Sequence, residues 1–165
     1  MKVIFLDIDN VLNHIYCDVK MDHFRFVIDD KLRLLKQLVN RTDAKIVLSS
    51  TWRFGWIYLN TYIPENDVFR KREIRLFLAL QKKFREFGLE FLDRTPLSAN
   101  AHRGNEIDQW LREWDGEPVE SFVILDDLNG KYLRPHAGRL VRTSVRTGLL
   151  QKHVDLAVKL LENFV

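Results

Sequence analysis

The stretch "KVIFLDIDNVLN", residues 2–13, decides the fold. Val3 to Leu6 form an unbroken apolar run, the pattern of a parallel strand buried on both faces. The run ends in Asp7 and, after Ile8, Asp9. A strand suited to the interior thus delivers two carboxylates at its carboxyl end. The pattern recurs twice. "AKIVLSS", residues 44–50, ends in Ser49 and Ser50, followed by Thr51. "SFVILDD", residues 121–127, ends in Asp126 and Asp127.

Helical periods separate these strands. "DDKLRLLKQLVN", residues 29–40, places apolar residues at 32, 34, 35, 38 and 39, with Asp29 or Asp30 expected as its cap. Residues 70–87 read as a helix with Ile74, Phe77, Leu78, Leu80, Phe84 and Phe87 on or near one face, stopped by Gly88. A short strand is expected at 89–93, a helix at 104–114, a strand at 139–143 and a closing helix at 149–163 through Leu150, Val154, Leu156, Ala157, Leu160 and Leu161. Residues 52–69 have no clean period and read as a loop with a short turn of helix. Strand–helix alternation predicts an α/β fold: a three-layer, Rossmann-like parallel sheet with helices on both faces. Without a repeat or a Gly/Ser linker, residues 1–165 are expected to form one domain.

In an open α/β sheet the carboxyl ends of the strands form the ligand crevice. The three polar strand ends are therefore expected to meet there. Four carboxylates so gathered would raise one another's pKa values. A divalent cation relieves this, and Mg²⁺ suits one or two carboxylates together with waters and phosphate oxygens.

These motifs resemble those of the haloacid dehalogenase (HAD) superfamily of aspartate-nucleophile phosphotransferases. Its Asp-x-Asp motif is matched by "FLDIDNVLN", its Ser/Thr motif by "IVLSSTWR", its basic residue by Arg103 in "HRGNEIDQWL" and its acidic pair by "VILDDL". "LSSTWR", "RGNEIDQWL" and "VRTSVRTGLL" further resemble the capless branch that includes domains of bacterial RNA-repair proteins. The resemblance runs from residue 3 to about 161. Asn10 stands where many members carry Gly after the second Asp, and Asn tolerates left-handed backbone better than other side chains.

The resemblance implies roles. Asp7 is the nucleophile that forms an aspartyl-phosphate, and Asp9 protonates the leaving oxygen and then activates water. Ser49 holds a phosphoryl oxygen, although Ser50 is an alternative for that position, and Arg103 neutralises the nucleophile and the phosphate. Ser50 and Asn10 join the phosphate-binding set. Mg²⁺ is expected on the Asp7 carboxylate, the Asp9 carbonyl and Asp126, with Asp127 bound directly or through water. Asn13 and His14 lie just past the nucleophile, near substrate. Trp52 and Arg53 line the crevice, or Trp52 belongs to the core. His102 is a ligand or, more simply, a surface residue. Caps in this superfamily are inserted after the first motif or between the second and third. Residues 14–28 suffice only for a flap, and 52–102 are largely taken by a helix and a strand, so no large cap and an open site are expected.

Charge and cysteine content bound the setting. Cys17 is the only cysteine, which excludes an intrachain disulfide or a Cys-based zinc site and suits the cytoplasm. No apolar run approaches the roughly 20 residues of a membrane span, and "MKVIFLDIDN" makes a poor signal peptide. No His-x-x-x-His spacing, Walker sequence or Gly-rich dinucleotide loop is present. Segment 70–86 carries seven basic and two acidic residues, and 131–146 carries five basic and no acidic residues. Both fit a polyanion such as nucleic acid, or a solvated face. Lys131 and Arg134 directly follow the acidic pair and are expected at the mouth of the crevice. The expected activity is phosphomonoester hydrolysis on a nucleic-acid or nucleotide phosphate. The alternatives are a small-metabolite phosphatase and a non-catalytic binding module.

Overall fold

Five parallel strands form the sheet, in the spatial order fifth, fourth, first, sixth, seventh of the seven in the chain. The computed structural model describes residues 1–98 and 102–162. Along the chain these are β1 (Lys2–Leu6), a hairpin of β2 (Lys20–Met21) and β3 (Phe24–Arg25), α1 (Asp29–Thr42), β4 (Lys45–Leu48), α2 (Arg53–Tyr58), α3 (Val68–Glu86), β5 (Phe91–Arg94), α4 (Arg103–Glu113), β6 (Ser121–Asp126), β7 (Leu140–Arg142) and α5 (Gln151–Glu162). Two 3-10 turns, Gly130–Leu133 and His136–Arg139, connect β6 to β7.

β1 is central because its neighbours bury it from every side. Side chains alternate across a strand, and this alternation sorts the core into two layers. Ile4 and Leu6 join Ile46, Leu48, Val123 and Leu125 against α1, α3 and α5. Val3 and Phe5 join Val47 and Ile124 against Ile107 and Trp110 of α4 and Leu133 of the first 3-10 turn. Phe5 meets the Trp110 ring edge-on at 5.3 Å. Full burial of a side chain such as Phe5 or Leu6 contributes roughly 1.5–3 kcal/mol.

Several expectations change in detail. Ile28, not Asp29 or Asp30, occupies the cap position of α1, and no side chain caps it. Asp29 instead pairs with Lys83 at 2.8 Å and Asp30 with Arg33 at 2.6 Å. Both acids still sit in the first turn, where the helix dipole favours them. Leu78 and Leu156 are exposed rather than inward, since each lies at the margin of its helix's apolar face. The 52–69 region contains α2, and α3 begins at Val68 because the Asp67 side chain accepts a hydrogen bond from the Arg70 amide. Residue 163 of the expected closing helix lies outside the described residues.

The flap expected in 14–28 is the β2–β3 hairpin. Its turn places Asp22 and His23 at φ 47° and 70°. Arg75 of α3 binds Asp22 at 3.0 Å, and the Arg72 guanidinium lies 5.0 Å above the Phe24 ring. The flap is therefore tied to α3. Among the described residues, no helix is long and apolar enough to cross a membrane.

Candidate active site

All five strands end in polar groups on one edge of the sheet. Asp7, Ser49 and Asp126 close β1, β4 and β6, as expected. Thr95 and Thr143 do the same for β5 and β7 and were not expected. The amides continue the ladders past the strands: Asp7 donates to the Leu125 carbonyl, Ser49 to Leu6, Thr95 to Leu48 and Thr143 to Asp126. Thr143 Oγ1 donates to the Asn10 carbonyl at 2.8 Å. Thr95 is fully buried and its hydroxyl has no partner among the described residues.

Arg103, the first residue of α4, binds three of these strand ends. Its Nη1 lies 3.1 Å from Asp126 Oδ2, 3.3 Å from Ser49 Oγ and 3.4 Å from Asp7 Oδ1. Gly104 lets α4 approach so closely: a Cβ there would fall 2.4 Å from the Arg134 carbonyl oxygen. Burial works against the Arg103 charge, but Asp7 and Asp126 outweigh it and hold its pKa above the usual value.

The carboxylates separate into two environments. Asp7, Asp126 and Asp127 each offer an oxygen within 4.8 Å of the others. Burial, reinforced by Asp126 and Asp9 and opposed by Arg103, pushes the Asp7 carboxyl from 3.8 up to about 7. Burial likewise raises Asp126, again against Arg103. The expected cluster of four is thus a cluster of three. Asp9 is held elsewhere, because Trp52 Nε1 donates to its Oδ2 and Asn13 Nδ2 to its Oδ1, each at 3.0 Å. The all-oxygen donor set and the raised pKa values of Asp7 and Asp126 fit a hard divalent cation, which would restore their charge.

The loop after β1 is built around Asn10, which adopts φ 60° as its side-chain type permits. Its amide donates to Asn13 Oδ1 and its Nδ2 to Asp127 Oδ2, at 2.8 and 2.9 Å. Asn10 therefore orients Asp127, and its buried Oδ1 has no partner among the described residues. Asn13 is fully buried and His14 half-buried. Ser50 and Ser49 both reach the centre. The Ser49 hydroxyl accepts from Arg103, whereas the Ser50 hydroxyl accepts from the Trp52 amide at 3.4 Å and helps to lower the Asp7 pKa. Trp52 combines both expected roles, since it is 6 % exposed and its indole nitrogen binds Asp9.

Arg53, expected to line the crevice, is buried beneath the serine loop, where it forms with Glu106 a supporting pair that the sequence did not reveal. Arg53 donates to the Ser49 and Ser50 carbonyls at 3.2 and 2.8 Å. Its Nη2 pairs with Glu106 Oε1 at 2.7 Å, and both side chains are only 4 % exposed. Glu106 Oε2 also lies 3.8 Å from Arg103 Nε. One buried carboxylate thus bridges the arginine that shapes the serine loop and the arginine that touches Asp7. "RGNE", with Glu three residues after Arg on a helix, was the available signal.

The basic segments are less uniform than their composition. In α3, Arg70, Arg72, Arg75 and Lys83 all have acidic partners. In 131–146, Arg139 packs over Phe122 and donates to the Leu160 carbonyl, away from the crevice. Lys131 and Arg134 are exposed on the turn whose Leu133 and Arg134 backbone packs against Gly104 at the start of α4. Arg142 donates to the Asp127 carbonyl at 3.0 Å. His102 is exposed, and its ring lies 6.1 Å from that of Tyr132.

Comparison with known proteins agrees with this geometry. The family described as "HAD domain in Swiss Army Knife RNA repair proteins" matches residues 3–154. The chain belongs to that family. HAD domains are generally hydrolases of the phosphatase type. No curated protein and no solved structure matches the chain.

Proposed function

We propose that this HAD domain is a Mg²⁺-dependent phosphomonoester hydrolase acting through an aspartyl-phosphate on a nucleic-acid or nucleotide phosphate. One observation carries the reading: Asp7 and Asp9, two residues apart, have been given different partners. Asp7 lies against Arg103 and the acidic pair. Asp9 is set apart on Trp52 and Asn13. A nucleophile and a proton carrier need that separation of roles.

Asp7 forms a bond to phosphorus as the bond from phosphorus to the leaving oxygen breaks. Asp9 gives its proton to that oxygen. Asp9 then takes a proton from the water that attacks phosphorus, the bond to Asp7 breaks, and phosphate leaves. Ser49, Ser50 and Arg103 hold the phosphoryl oxygens through these steps. Asp7, Asp126 and Asp127, with the Asp9 carbonyl, would hold Mg²⁺. When bound, the ion offsets charge on the transferring phosphoryl group.

The substrate assignment rests on exposed Lys131 and Arg134, which follow the acidic pair on the turn against the start of α4, and on the RNA-repair context in the family's description. The single buried cysteine and the continuous core support a cytoplasmic enzyme of one domain. A panel of phosphomonoesters, including end-phosphorylated RNA and DNA, with and without Mg²⁺, tests the proposal. Mg²⁺-dependent phosphate release is expected, fastest from nucleotide esters. No release from any ester would overturn it.

A further inference from the structure

A cavity of about 210 Å³ opens beside Asp9 and is lined by none of Asp7, Asp126 and Asp127. Its wall carries Phe24 of the flap, Trp52, Phe54 and Phe69, with Glu73 of α3 among them. Phe24 and Phe69 are 42 and 50 % exposed, unusually open for rings of this size. The Arg72 guanidinium bridges them, 5.0 Å above Phe24 and 4.9 Å above Phe69. Arg72 is itself fixed by Glu73 Oε1 at 2.8 Å. The volume is below the roughly 300–1,000 Å³ of pockets that enclose drug-sized ligands. It suits one planar ring system.

We infer that this cavity is a nucleobase subsite for the leaving group of the hydrolase reaction. The inference rests on the function proposed above, which makes Asp9 the acid that protonates the leaving oxygen. Because Asp9 lines the cavity, whatever carries that oxygen lies at its entrance. Exposed phenylalanines accept the face of a base, and single-stranded ends are commonly bound by such stacking. The Glu73 carboxylate offers an acceptor to a ring N–H or amino group at the rim. Flap and helix contribute opposite walls, and the Arg75–Asp22 and Arg72–Phe24 contacts hold them at that spacing.

The test compares nucleoside monophosphates with ribose phosphate, which carries the ester without the base. Wild type is expected to favour the nucleotides in kcat/KM, mainly through KM. Phe69→Ala should shrink that preference roughly fivefold to hundredfold, the range expected for one lost base stack. Phe69 is half exposed, so the variant should fold. Calorimetric binding of the same compounds to Asp7→Asn, with and without Phe69→Ala, reads the subsite without turnover. Equal treatment of nucleotide and ribose phosphate by wild type, or an undiminished preference in Phe69→Ala, overturns the subsite. Failure of the hydrolase reading looks different: no ester releases phosphate, while nucleotide binding still depends on Phe69. An end-phosphorylated oligonucleotide in the same assay separates a strand end from a free nucleotide as the source of the base, and preference for either supports the subsite.

Discussion

The two edges of the sheet are made from the same strands and differ in what they bury. At the amino edge lies a cavity of about 500 Å³, more than twice the size of the one beside Asp9, lined by residues such as Ala44, Ile46, Leu89 and Leu92. Its charged neighbours, Lys45, Arg85 and Glu90, are exposed and solvated. At the carboxyl edge, Asp7, Ser49, Ser50, Thr95 and Asp126 are buried together. Size favours the first edge as a ligand site, and chemistry favours the second. Buried charge is costly unless paired, so a cluster of acids held together by one arginine marks the edge that a reaction uses.

The sharpest way to break this contrast is to remove the support beneath the carboxyl edge. Glu106→Ala leaves Arg53 buried without its counter-charge. Breaking a buried pair from one side costs about 3–5 kcal/mol. Chemical denaturation should register that loss, and activity should fall with it as the serine loop and Arg103 lose their common anchor. A cost within that of ordinary surface substitutions would place the pair outside the site's framework.

Asp7→Asn keeps the shape and removes the attacking charge. Turnover should fall at least about a hundredfold, close to 3 kcal/mol of barrier. Undiminished phosphate release would remove Asp7 from the reaction.

Metal and pH sharpen the contrast next. Mg²⁺ at a hundredfold excess over its Kd should stabilise the protein by about 2.7 kcal/mol, read as a higher Tm. Asp126→Ala should blunt the response. Without metal, the sign of the pH effect is set by Asp7, whose carboxyl is raised by burial from 3.8 to about 7. The folded state then holds a proton that the unfolded state releases. The contribution of Asp7 to metal-free stability should therefore be complete below about pH 4 and lost as pH rises through about 7, and Asp7→Asn should remove that part of the pH dependence. Since Mg²⁺ competes with that proton, its Tm shift should be larger at about pH 8 than at about pH 5.5. A shift independent of pH would mean that Asp7 does not ligate the ion.

The smallest expected effect concerns the basic rim. Reversing charge at Lys131 and Arg134 should flatten the salt dependence of oligonucleotide binding by about 1.4 in log–log slope, at roughly 0.7 per phosphate contact on a single strand. An unchanged slope would make these residues a solvated face.

Much of the carboxyl edge was legible because apolar runs ending in Asp or Ser are unusual in combination. Thr95 and Thr143 escaped notice because a threonine after a short strand is ordinary turn chemistry, and β7 has only three residues. The separation of Asp9 from the other acids depends on an indole from the loop after β4, which no spacing reveals. The Arg53–Glu106 pair joins residues on α2 and α4 that meet only after β4 and β5 pair. The flap's strands have two residues each, too few for any period to register. Composition misled for α3, where Arg70 and Arg72 pair with acids beside them in the chain and Arg75 and Lys83 with acids from other elements.

The central claim is that phosphate passes through Asp7. Asp9→Asn removes both the acid of the first step and the base of the second, so with an aryl phosphate, whose leaving group needs no acid, the covalent species should outlast its formation. The measurement is acid quench of that variant during reaction with Mg²⁺ and the aryl phosphate, followed by peptide mass spectrometry. The account predicts a phosphoryl group on Asp7. Phosphate release with Asp7 unmodified at every quench time, or a phosphoryl group on another residue, would contradict it.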